Sequence, residues 1–193
     1  MRGKFYVVAI VALGALVLEQ NFLPLPESTE QWLVFVVLLV STATAEFFPV
    51  VTPKNQSYEL TPVFVFAALL VLQPGLLCLL LLLAFLPEWI RTRKPWFIPS
   101  FNIAIFVLQT FLARAVYLWA DGHPVHFPIG PASLLAAALA AAVFAATNHL
   151  LLALVLHLAR GHSWKDTRLF ELEYFFTDAA LAYMGAVVAA LWR

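Results

Sequence analysis

The chain has 193 residues, 63% hydrophobic and 11% charged, with a formal net charge of zero. That balance excludes a nucleic-acid partner, whose phosphates call for a basic excess. The mean hydropathy of +0.91 excludes a water-soluble domain of this size, and the lone Cys78 excludes an internal disulfide.

The apolar runs are long and do not alternate, which favours membrane-spanning helices over barrel strands. The fold class expected is all-α: a polytopic transmembrane helix bundle in a single domain, residues 1–193, with six to seven membrane segments. The first helix is expected over Phe5–Gln20. Arg2 and Lys4 before it resemble the start of a signal peptide, but no small-x-small cleavage site follows Leu18, so the helix is read as retained. A second helix covers Trp32–Val50, ended by Pro49 and Pro53.

The stretch Pro62–Ile90 would measure about 43 Å as one helix at ~1.5 Å per residue. Gln73-Pro74-Gly75 interrupts it, because proline removes a helical donor and glycine permits a tight turn. Two helices are therefore predicted, Thr61–Leu72 and Gly75–Ile90. The first is short enough to be a re-entrant half-helix, which lipid tolerates only where protein surrounds it. Further helices are expected over Phe97–Trp119, Ala132–Leu158 and Leu169–Leu191. The alanine-rich run Ala136–Ala142 permits close helix packing. Trp32, Trp89, Trp96, Trp119, Trp164 and Trp192 all fall near helix ends, where amphipathic rings favour the headgroup region.

Charge tests this map. With a cytoplasmic N-terminus, Arg2, Lys4, Lys54, Arg91, Arg93, Lys94, Arg160, Lys165 and Arg168 lie inside, nine of the eleven basic residues. A single crossing over Pro62–Ile90 would put the Arg91–Lys94 cluster outside, so the hairpin at Pro74-Gly75 is part of the topology. The expected location is a cell membrane, with multiple passes and the lipid bilayer as the first partner.

Zinc, redox and nucleophile signatures are absent, and so are glycine-rich phosphate loops; no metal or cofactor is implied. His123 and His126 share an outer loop but lack a third ligand. The informative residues are the polar groups within the spans, each costly in lipid and so a functional candidate. Glu46 lies one turn from the end of the second helix, within a small and polar stretch. Asn102 and Gln109, seven apart, share a helical face that should look into the bundle. Arg114 is the only basic residue clearly within a span and a candidate for an anion, able instead to snorkel or meet an acid. Asn148 and His149 occupy the inner half of the sixth helix. Asp178 needs a partner, with His149, Asn148 and Arg114 as the options. Glu46, Asn102, Gln109, Arg114, Asn148, His149 and Asp178 form the candidate ligand-binding set, and no catalytic residue is assigned.

The order Ala45-Glu46-Phe47-Phe48-Pro49-Val50, a polar turn, an apolar helix, a Pro-Gly break, Arg91-Thr92-Arg93-Lys94-Pro95-Trp96 and Phe101-Asn102 resembles a known pattern. It is similar to the N-terminal multi-helix membrane regions of bacterial signalling proteins that precede diguanylate-cyclase or metal-dependent phosphohydrolase domains. The likeness covers residues 34–190. Ile105 departs from it, standing where a polar residue often follows Phe-Asn, and the last helix points outward with no output domain after it. This leaves open a fragment or a free-standing relative. The resemblance implies a signal-input module of a bacterial inner membrane, binding a small molecule or lipid in a helix-bundle cavity. It would work with a partner membrane or cytoplasmic signalling subunit. A small-solute transporter or its substrate-binding subunit is the alternative, drawn from the broken hairpin. An intramembrane enzyme using Glu46, Glu88 with Arg91, His149 and Asp178 is a third, which no spacing compels.

Overall fold

The computed structural model describes residues 2–48, 50–51, 57–58, 60–121, 131–161 and 171–192. The Trp164, His123 and His126 assignments lie outside these residues. The described chain is helical apart from a two-residue antiparallel pairing of Val50–Val51 with Ser57–Tyr58. The helices are α1 (Arg2–Asn21), α2 (Thr29–Phe47), α3 (Thr61–Val71), α4 (Pro74–Leu83), α5 (Leu86–Thr92), α6 (Phe97–Asp121), α7 (Pro131–Arg160) and α8 (Leu172–Ala190). Six stretches are long and apolar enough to cross a membrane, with α4 and α5 counted together as Pro74–Thr92, and α3 is the shorter apolar helix.

Most boundaries shift by one to three residues, and two differences have a local cause. Helix α2 stops at Phe47, before Pro49, because the residue preceding a proline is driven toward extended backbone. The span after Gly75 bends at Ala84–Phe85, where Pro87 opens α5 in its first turn. Arg93 then ends α5 in the left-handed region, at φ 48°.

Contacts between helices sort their ends. Tyr6 of α1 donates to Leu151 O of α7 at 3.0 Å and packs edge-on against Phe101 of α6. The Arg91 guanidinium of α5 lies 4.7 Å from the centroid of the Phe47 ring of α2. One end of the bundle therefore gathers the start of α1, the end of α2, α5, the start of α6 and the end of α7. At the opposite end the α1–α2 connection covers the α3–α4 turn. A Cβ on Gly75 would come within 2.7 Å of Phe22 O and 3.0 Å of Pro24 O, so this turn requires glycine for close approach. Among the described side chains, Lys4, Arg91, Arg93 and Lys94 all sit at the first end, and Glu19, Glu27 and Glu30 at the second.

The shortest long-run helix is the most enclosed. Val65, Phe66, Ala67, Ala68 and Leu69 of α3 are buried, and α3 packs against α2, α4, α6 and α8. Small residues make this possible: Ala182, Gly185, Ala186 and Ala189 of α8 are buried, and a Cβ on Gly185 would sit 2.8 Å from Ala67 N. Such stripes let backbones approach where lipid offers no hydrophobic drive. Phe66 meets Phe144 of α7 edge-on at 6.0 Å, and Phe144 meets Phe106 of α6 at 6.4 Å, joining three helices through one aromatic stack. Helix α1 is peripheral; it packs on α6 and α7 through a smaller cluster of Ile10, Phe101, Ala104 and Ile105.

Candidate functional site

A helix leaves its first four N–H and last four C=O groups without intrahelical partners. For an eleven-residue helix largely buried in a bundle, side chains of neighbouring helices can reach its ends. At the C-terminal end of α3, Arg114 of α6 donates from Nη1 to Leu69 O at 2.5 Å and to Leu72 O at 2.9 Å. Ala68 O accepts from Leu72 N at 2.9 Å. Gln31, in the first turn of α2, takes both sides of the turn: its Nε2 donates to Val71 O at 3.2 Å and its Oε1 accepts from Gln73 N at 3.2 Å. At the N-terminal end, Pro62 has no N–H to satisfy, and Thr61 donates from Oγ1 to Glu46 Oε1 at 2.6 Å.

The two charges singled out in the sequence thus stand at opposite ends of one buried helix. The carboxylate of Glu46 is at the N-terminus, where the helix dipole is positive, and the guanidinium of Arg114 is at the C-terminus, where it is negative. Among the described residues the hydrogen-bond partners of Arg114 are backbone carbonyls, and the side chain is part-buried. Glu46 and Gln31 also bracket the length of α3 along α2. The rise from Gln31 to Glu46 is ~22 Å and that from Thr61 to Val71 ~15 Å, the difference being within the reach of the two side chains. The α3–α4 hairpin therefore runs alongside nearly the whole of α2.

Glu46 also lines a cleft at the basic end of the bundle, with Phe85, Glu88, Lys94, Pro99, Asn102 and Phe106. Its volume is about 90 Å³. The Phe85 and Phe106 rings, with centroids 4.7 Å apart, form its apolar part. Glu88 pairs with Lys94 at 2.8 Å, and Trp89 Nε1 donates to Lys94 O at 3.1 Å, which holds the α5–α6 corner. Asn102 belongs to this cleft and is exposed, whereas Gln109 is buried. Phe101 beside Asn102 is buried against α1, whereas Asn102 opens on the cleft, so the expectation that both amides look into the bundle holds for Gln109 alone. Gln109 Oε1 and Thr110 Oγ1 are buried without a hydrogen-bond partner among the described residues.

The second polar locus is the α7–α8 seam. His149 Nε2 lies 2.7 Å from Asp178 Oδ2, with the imidazole 2% exposed and the carboxyl 33%. Phe175 packs edge-on to the imidazole at 6.0 Å. Of the three partners open to Asp178, the structure selects His149. Asn148 is half-buried beside it on α7. The acid–base residues considered for an enzyme are thus divided. Glu46 and Glu88 share the cleft, His149 and Asp178 share the seam, and Arg91 stacks on Phe47 instead of pairing with Glu88. Among the described residues no group of three His, Cys, Asp or Glu is placed to hold a metal ion.

Gln31, Thr61 and Lys94 were not in the candidate set. Gln31 carried a signal: a polar amide just before an apolar run, opposite a proline break. No protein-family model matches the chain, and neither a curated protein nor a solved structure matches it.

Proposed function

We propose that the chain is a membrane-embedded signal-input module whose basic end faces the cytoplasm and whose ligand occupies the Glu46–Asn102 cleft. The observation that carries this reading is the double position of Glu46, which borders the cleft and also holds Thr61 at the start of the buried helix. A ligand with a cationic or N–H-donating group would compete with Thr61 for the carboxylate, and the effect would pass to α3 and through it to α8. Such a ligand shifts the bundle only by as much as it favours one packing over another. At about 90 Å³ the cleft is far below the ~300–1,000 Å³ of drug-sized pockets. Ligands of a few heavy atoms fit, such as a small amine or the amine of a lipid headgroup. The gathering of Lys4, Arg91, Arg93 and Lys94 at one end supports the orientation.

The broken hairpin favours transport as a second reading, since interrupted helices place half-helix ends at substrate sites. Here the carbonyl end of α3 is already held by Arg114 and Gln31, which supports a fixed element over a mobile gate. The test is titration of the full chain in nanodiscs with methylammonium, ethanolamine and choline, followed by intrinsic tryptophan fluorescence. A saturable response that Asn102→Ala weakens, with no uptake of the same amine into proteoliposomes, supports sensing. Time-dependent uptake abolished by the same substitution would replace sensing with transport. No saturable response would remove the cleft as the site.

A further inference from the structure

The α5–α6 corner places three basic residues within four positions, and they are not equivalent. Lys94 is neutralised by Glu88 at 2.8 Å. Arg91 stacks on Phe47, and neither Arg91 nor Arg93 has an acidic partner among the described residues. Arg93 is fixed in a left-handed conformation as the C-cap of α5, its N–H bonded to Trp89 O at 2.9 Å. The corner is held from within by the Trp89–Lys94 bond. The same corner carries open apolar side chains close by in sequence: Ile90 is 74% exposed and Trp96 65%. Exposed isoleucine and tryptophan beside arginines with no acidic partner among the described residues belong at the boundary between acyl chains and headgroups.

We propose that this corner binds the headgroup phosphate of an anionic phospholipid, held by Arg91 and Arg93, with the acyl chains against Ile90 and Trp96. Guanidinium groups suit phosphate because their planar N–H pairs match its oxygens and because they are weakly hydrated. The ring of Phe47 holds Arg91 in place without neutralising it. A zwitterionic lipid presents the same phosphate beside its own ammonium group, so the site favours a net negative headgroup. This site is separate from the cleft, whose polar residues are Glu46, Glu88, Lys94 and Asn102.

The test is native mass spectrometry of the full chain released from detergent, with phosphatidylglycerol, phosphatidylcholine or inorganic phosphate added. The wild-type protein should retain phosphatidylglycerol over phosphatidylcholine. In R91Q/R93Q that retention should fall about 30-fold, the effect of removing two interfacial basic residues. K4Q removes an exposed lysine at the same end and should leave it unchanged. Unfolding midpoints of the three proteins measured alongside should agree. Equal retention by wild type and R91Q/R93Q overturns the proposal. So does loss in K4Q to the same degree, which would mean diffuse attraction. Displacement of the lipid by millimolar inorganic phosphate would mean that the corner takes a free anion.

Discussion

Helices α1 and α3 invert the usual relation between length and burial. Helix α1 has twenty residues, enough to cross the membrane alone, and it stands at the periphery with Phe5 76% and Val8 64% exposed. Helix α3 has eleven, too few to carry both ends to water, and it sits at the centre with Val65, Phe66, Ala67 and Ala68 at zero exposure. The difference follows from where terminal polar groups find partners. A long helix ends among headgroups and water and asks little of its neighbours. A short one must be built into the protein, with a carboxylate at its start and a guanidinium and an amide at its finish. Glu46 and Arg114, both candidates from the sequence, stand at the two ends of that helix, and Glu46 borders the cleft as well.

The largest expected contrast lies between apolar deletions in the two helices. Phe66→Ala opens a cavity in the Phe66–Phe144–Phe106 stack and should cost about 3–5 kcal/mol. Val8→Ala faces lipid and should change stability by less than about 0.5 kcal/mol. Equal costs in reversible unfolding from mixed micelles would remove the distinction between core and periphery. Next, Arg114→Met keeps the volume and leaves Leu69 O and Leu72 O without their donor, for about 2–3 kcal/mol. Arg114→Lys should recover part of the loss. Gly185→Ala forces a methyl group against the α3 backbone and should cost about 1–3 kcal/mol, with reduced proximity of α3 and α8 in cysteine crosslinking. An unchanged crosslinking yield would show that the close approach does not hold the seam. Among the polar and seam substitutions the smallest effect on reversible unfolding is expected from Glu46→Gln, which keeps an acceptor for Thr61 and loses the charge at the N-terminus. That change should cost about 0.5–1 kcal/mol.

The spans were legible because hydropathy and length determine what can cross a bilayer, and the hairpin because Pro74-Gly75 forbids a continuous helix. The clustering of charge at one end was legible for the same topological reason. The role of Arg114 was not, since its partners are main-chain carbonyls and carry no mark in the sequence. Periodicity placed Asn102 and Gln109 on one face, but it says nothing of where the neighbouring helices stop. Asp178 was narrowed to three partners by cost alone; the choice of His149 depends on how α7 and α8 pack. The enclosure of α3 was legible from its shortness, but its partners α2, α4, α6 and α8 were not, because they depend on how the helices pack.

Hydrogen exchange of the intact protein in nanodiscs, comparing wild type with Arg114→Met, tests the terminal support of α3 most directly. The amides of Leu70, Val71 and Leu72 should exchange markedly faster in the variant, while those of α1 keep their protection. Unchanged exchange at these three amides, or acceleration spread equally over α1 and α3, would contradict the assignment of Arg114 as the support of this helix end.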